Sequence, residues 1–255
     1  MRAVTNDDYG DITVIAVVCY RRNLFMKTLL YVPIIHTSAD LGSLAKAVAK
    51  RGIDAVGGEV WEKHNATVEK FWDVLADYFA AIDAAGMKVY QDGMPADGEI
   101  GAKIVEESVK AGSRNYELVA GLLKRGAVLI KTEDFGLVKQ ERDRLVALTR
   151  AKSLLQKLAA YIKYKWVKDT LLARRDDFIA KTINETLGDG QTGIVFIGAC
   201  HNIRKRLPPE IRIVEIKDAG KVKEYQELLP FYHRNKERVA QLAQYLTARI
   251  TEYYD

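Results

Sequence analysis

Short apolar, β-branched runs alternate with helical patterns along most of this chain, and that alternation limits the fold more than any other feature. The runs "TLLYVPII" (28–35), "IDAVGGEV" (53–60), "MKVYQD" (87–92), "AVLIKTED" (127–134), "GIVFIG" (193–198) and "IRIVEIK" (211–217) each read as a strand. Elsewhere apolar residues recur at helical steps: Val68, Phe71, Leu75, Phe79 and Ile82; Leu145, Leu148, Leu155, Leu158, Ile162 and Trp166; Val239, Leu242, Leu246 and Ile250. Strand followed by helix, repeated, predicts an α/β fold: a mostly parallel sheet with helices on both faces. Residues 137–187 exceed one ordinary helix, are expected to form two, and would be a helical cap on the sheet. With no internal repeat and no low-complexity linker, 26–255 is expected to be a single α/β domain.

Residues 1–25 stand apart. "MKTLLYVPIIH", from Met26, supplies a complete first strand, so what precedes it is expected to be a dispensable extension. That extension carries Asp7, Asp8 and Asp11 where a signal peptide would be basic. Tyr20-Arg21-Arg22 resembles the start of a twin-arginine signal, but the apolar stretch after it is short and no small-x-small cleavage site follows. No apolar run has the length of a membrane span. Two cysteines, Cys19 and Cys200, make no disulfide framework, and a cytoplasmic location is expected. The net charge of +5 permits acidic partners without requiring nucleic acid. Residues 142–181 concentrate 11 Lys or Arg against 4 Asp, but these interleave with apolar helical positions and read as a solvated helix face. The expected partner is therefore a small molecule or peptide, with nucleic acid or an acidic surface as a weaker alternative.

The chemistry-bearing residues gather where the runs end. The first ends at His36, the second at Glu59, the third at Asp92, the fourth at Glu133 and Asp134, and the fifth leads to His201. In a parallel sheet these carboxyl ends share one edge. Imidazoles and carboxylates meeting there suit a divalent transition metal, or a water activated by a general base. Strand ends also carry polar residues simply because they emerge into solvent, and this plainer reading is favoured for Asp92, Glu133 and Asp134. Asp40 is expected to cap the next helix. His64 and His233 lie in charged helical segments and are expected on the surface. Cys200 reads as small packing at a turn. "GDGQTG" (188–193) precedes a strand instead of following one, so it is a turn and not a dinucleotide fingerprint. No Walker A loop, G-x-S-x-G elbow or H-E-x-x-H motif occurs.

The most specific stretch is "RRDDFIAKTINETLGDGQTGIVFIGACHN" (174–202). It resembles the carboxyl-terminal motif of the TraB/PrgY/GumN, ChaN and erythromycin-esterase-like superfamily, in which an Arg-Asp or Arg-Asn helix precedes a strand ending in G-x-x-H. Arg175, Asp176, Ile179 and Ala180 fit the helix part, and Gly198 and His201 the strand part. "YVPIIH" and "AVGGE" look like the family's early strands ending in histidine and glutamate, with Pro33 standing where the family has glycine. The resemblance implies an α/β fold with two facing histidines. It implies an activity like that of its metal-dependent peptidases or esterases, or the binding of iron or haem-related ligands. On this basis the expected site is His36, Glu59, Arg175 and His201. The histidines would be an acid/base pair or metal ligands, Glu59 a ligand or general base, and Arg175 a grip on a carboxylate or developing oxyanion. The divalent metal would be manganese, cobalt or zinc. A non-catalytic protein that binds a small ligand or a metal on the same fold is the alternative.

Overall fold

The computed structural model describes residues 26–37, 39–40, 45–137, 139 and 154–251, with only the backbone for 154–169. Five strands form one sheet: β1 (Lys27–Ile34), β2 (Lys88–Gln91), β3 (Val128–Ile130), β4 (Thr192–Gly198) and β5 (Ile211–Glu215). All pairings are parallel, in the order β3-β2-β4-β1-β5. The helices are α1 (Ala45–Val56), α2 (Gly58–Ala80), α3 (Gly98–Lys110), α4 (Arg114–Lys124), α5 (Leu154–Thr186), α6 (Ala219–Leu228) and α7 (Lys236–Thr247). The expected α/β architecture is therefore present.

β1 and β4 lie inside the sheet and are apolar almost end to end, as strands covered on both faces must be. Alternation then divides their side chains between two layers. Leu30, Val32 and Ile34 of β1 join Phe71, Trp72 and Leu75 of α2 and Val119 of α4. Leu29 and Tyr31 face the other way, toward Ile179 and Ile183 of α5. Among the described residues no helix is long and apolar enough to cross a membrane.

One expectation changes. "IDAVGGEV" is not a strand: its residues end α1 and begin α2, with Gly57 between them at φ +89°. That conformation is open to glycine and strained for other residues, so the chain turns there from one helix into the next. Within 137–187, residues 154–186 form one continuous 33-residue helix, and the other helix expected there falls on residues that lie largely outside the described ones. The carboxyl-terminal part of α5 is a layer of the fold, not a separate cap, because Ile179, Ile183 and Leu187 are buried against the sheet. Residues 138 and 140–153 lie outside the described residues, as does the amino-terminal extension. The side chains of Lys157, Lys163, Lys165 and Lys168, the core of the basic stripe, lie outside them too. The "GDGQTG" turn is as expected: Gly190 has φ +69°, and the Gln191 side chain accepts from the Gly188 N–H at 2.9 Å.

The topology opens a crevice. From β2 the chain passes outward to β3, whereas from β4 it crosses β1 to reach β5. Neighbouring β2 and β4 thus send their chains in opposite directions. At such a switch point the carboxyl ends of the strands part, and ligand sites form there.

Candidate functional site

The crevice is lined from three directions. β2 delivers Asp92, whose N–H donates to the Phe196 carbonyl at 2.8 Å and so extends the ladder by one residue. β4 ends at Gly198, and a tight turn follows in which the His201 N–H returns to the Gly198 carbonyl at 3.0 Å. This turn swings the imidazole back over the sheet edge. α5 supplies Arg175 and Asp176 together from the opposite layer.

These groups form a connected network. The Asp92 carboxylate accepts from the Gly198 N–H at 3.1 Å, lies 3.3 Å from His201 Nε2 and receives Arg175 Nη2 at 3.0 Å. Arg175 Nε donates to both Glu133 oxygens, at 3.0 and 3.1 Å, and Nη2 adds a further bond to Glu133. Asp176 takes His201 Nδ1 at 2.6 Å and the Asn202 N–H at 2.9 Å, with Arg206 Nη1 3.3 Å away. The Glu133 side chain has no exposure and that of Asp176 only 3%.

Burial sets how each group ionises. Burial alone would strip His201 of its proton, but the bonds to Asp176 and Asp92 and the Asp92 charge reverse this and push its pKa up to about 10. At neutral pH His201 is therefore an imidazolium. Burial also resists charge on Asp92, yet His201, Arg175 and the Gly198 N–H hold its carboxyl well below the usual range. Glu133 is raised, because burial, helped by the Asp92 charge, outweighs the Arg175 guanidinium.

Gly198 is the pivot of the cleft. A Cβ placed there would meet Asp92 Oδ2 at 3.1 Å, His201 Cδ2 at 3.6 Å and His36 Nε2 at 4.0 Å. The two imidazoles thus converge on one point, as expected, and a Cβ there would press first on the Asp92 carboxylate. His36 is exposed and lies just beyond β1. Two anchors place it: Trp72 Nε1 donates to the Ile35 carbonyl at 3.0 Å, and the Thr37 N–H and hydroxyl donate to Asp40 at 2.6 and 2.9 Å. Asp40 also accepts from Ser113, which caps α4 through the Tyr116 N–H, so Asp40 ties the His36 loop to that helix; residues 41–44, on which its expected capping role falls, lie outside the described residues. The cleft has a volume of about 490 Å³, and its walls include His36, Asp92, Arg175, Cys200 and His201.

His36, Arg175 and His201 are therefore brought together, and Glu59 is not. Because residues 53–60 are helical, Glu59 falls in the first turn of α2, exposed and paired with Lys63 at 2.7 Å. The set His36, Glu59 and His201 accordingly does not fit a metal ion. Among the described residues no three His, Cys, Asp or Glu side chains are arranged to hold one. Both His201 nitrogens already face carboxylates.

Five further residues differ from expectation. Asp92 and Glu133, read as ordinary polar strand ends, are the partners of Arg175. Asp176, noted only as part of the motif, braces His201. Cys200 is exposed at the cleft and not packed in the turn. His64 is half-buried between Trp61 and Tyr225, bonded to the Tyr225 hydroxyl at 3.0 Å, and burial lowers its pKa to about 4. His233 is exposed, as expected. Comparison with protein-family models, with curated proteins and with solved structures finds no match to this chain.

Proposed function

We propose that this chain hydrolyses esters or peptides in the cleft between β2 and β4. One observation carries the reading: a buried imidazolium, His201, braced by two carboxylates, converges with a second, exposed imidazole, His36, over a glycine. A substrate carbonyl seated over Gly198 would lie between them. His36 takes a proton from a water molecule as the water oxygen attacks the carbonyl carbon. Negative charge then develops on the carbonyl oxygen, where the His201 and Arg175 cations stabilise it. The His201 Nε2–H lies 3.3 Å from Asp92, and an oxygen seated over Gly198 would share that donor without a turn of the ring. Collapse of the tetrahedral intermediate breaks the bond to the leaving alkoxide or amine, which receives the proton from His36. Asp176 positions the His201 ring through Nδ1 and keeps it charged.

The resemblance of the Arg-Asp helix and the G-x-x-H strand to the superfamily points the same way. No step requires Glu59 or a metal. We place the reaction in the cytoplasm, where the exposed Cys200 thiol stays reduced. A second reading, non-catalytic binding of a small ligand, is favoured by the carboxylates that already engage both cations.

A panel of p-nitrophenyl esters and aminoacyl anilides separates the two. Turnover by the wild-type protein should fall by about a hundredfold or more in His36→Gln, the scale of a lost general base. The melting temperature should hold, because His36 is exposed. Glu59→Gln should change neither. Binding without turnover supports the second reading, and equal turnover in His36→Gln refutes the first.

A further inference from the structure

Two amide side chains in the cleft wall keep an oxygen without a partner. Gln91 ends β2 and is 1% exposed, and Asn115, in the first turn of α4, is also 1% exposed. Both line the cleft that holds His36 and His201. Gln91 Nε2 donates to the Asp92 carbonyl at 3.3 Å, an assignment that leaves its oxygen facing elsewhere. Neither Gln91 Oε1 nor Asn115 Oδ1 has a hydrogen-bond partner among the described residues. Buried acceptors of this kind are uncommon because each forfeits its hydration without replacement. Two of them in the wall of one cleft, beside the reacting groups, point to donors that arrive with a bound molecule.

We infer that Gln91 and Asn115 form a subsite that reads hydroxyl or N–H donors on the acyl part of the substrate. Calling the ligand a substrate rests on the proposed hydrolase activity; the recognition itself does not. The unmet atoms are both acceptors, so the group they select carries O–H or N–H donors and is not a carboxylate or phosphate. A site built around such a donor discriminates strongly, because an analogue lacking it occupies the cleft and leaves the acceptors bare. Gln91 and Asn115 are thus specificity-determining residues, while His36, Arg175 and His201 perform the reaction.

The test compares p-nitrophenyl esters of 2-hydroxy and 2-acetylamino acids with those of the unsubstituted acids of equal length. The wild-type protein should favour the substituted esters by about tenfold or more in kcat/KM. Gln91→Met and Asn115→Leu should each erase most of that preference, through KM for the substituted ester. A merely structural role for the amides would lower stability without changing the ratio. The preferred arm, hydroxyl or acetylamino, identifies the donor. Equal handling of substituted and unsubstituted esters by the wild-type protein overturns the proposal, as does a preference that survives in both variants. Should no ester be turned over, calorimetry with 2-hydroxyacyl amides and their deoxy counterparts decides on the wild-type protein alone. Tighter binding of the hydroxyl-bearing amide keeps the subsite while the hydrolase reading falls, whereas equal binding, or none, overturns the subsite as well.

Discussion

His201 makes the stability of this protein depend on pH in a direction that can be worked out in advance. Its pKa is about 10 in the folded chain and returns to 6.5 when the chain unfolds. The folded state therefore holds a proton that the unfolded state releases. The resulting stabilisation is complete below about pH 6.5 and is lost as pH rises through about 10. Between those limits one proton separates the two states, a slope of about 1.4 kcal/mol per pH unit. Two other groups bound the useful window. His64, held near 4 by burial, makes stability rise with pH up to 6.5. Lys217, lowered to about 8 by burial, makes it rise again between about 8 and 10.5. Asp92 contributes above 3.8 and loses its contribution only as pH falls below that, so it is constant throughout. Glu133, raised by burial, acts in the same direction as His201; His201 alone accounts for an expected loss of about 2 kcal/mol from pH 6.5 to 8, which the difference between wild type and His201→Asn isolates.

Urea denaturation at four pH values across that window measures it, with tryptophan fluorescence as the signal, since Trp72 is buried. His201→Asn should flatten the slope. If that variant does not fold, Asp176→Asn serves instead, because it removes the carboxylate bonded to Nδ1 and should shift the decline to lower pH. Wild-type stability that is flat or rising from pH 6.5 to 8 would refute the imidazolium. So would a decline of equal slope in His201→Asn.

Arg175→Gln leaves Glu133, which has no exposure, beside Asp92 without their shared cation; the expected loss is about 3–5 kcal/mol by chemical denaturation at pH 7. The deficit should shrink on acidification, because burial already favours the neutral form of Glu133. For metals, calorimetric titration of manganese, cobalt or zinc at pH 7 should show no one-to-one binding at His201, since an ion must displace a proton held about three pH units above neutrality, a penalty of about 4 kcal/mol. Tight binding that disappears in His201→Asn would contradict this.

The strands were legible because a parallel strand covered on both faces is apolar along its length, and "TLLYVPII" and "GIVFIG" carry that pattern plainly. "IDAVGGEV" looked the same, yet a short apolar run has no period that tells a strand from the end of a helix. There the two glycines marked a turn between helices and not the exit of a strand, and Glu59 was misplaced with them.

At the site, His36 and His201 could be found from strand ends alone, and Arg175 from its motif. The residues that tune them could not. Asp92 and Glu133 resemble any polar residue emerging from a sheet until Arg175 reaches them from a helix 42 or more residues later in the chain. Asp176 stood beside Arg175 in the motif, but only the turn after Gly198 carries the His201 ring to it. Gln91 was hidden most completely, as one polar residue inside an apolar run, where the natural reading is a strand position with its hydrogen bonds met. Yet at the end of β2 its oxygen has no hydrogen-bond partner among the described residues. The switch point that gathers the reacting groups thus also sets an unmet acceptor beside them. Selection and chemistry in this cleft have one structural origin, the parting of β2 and β4.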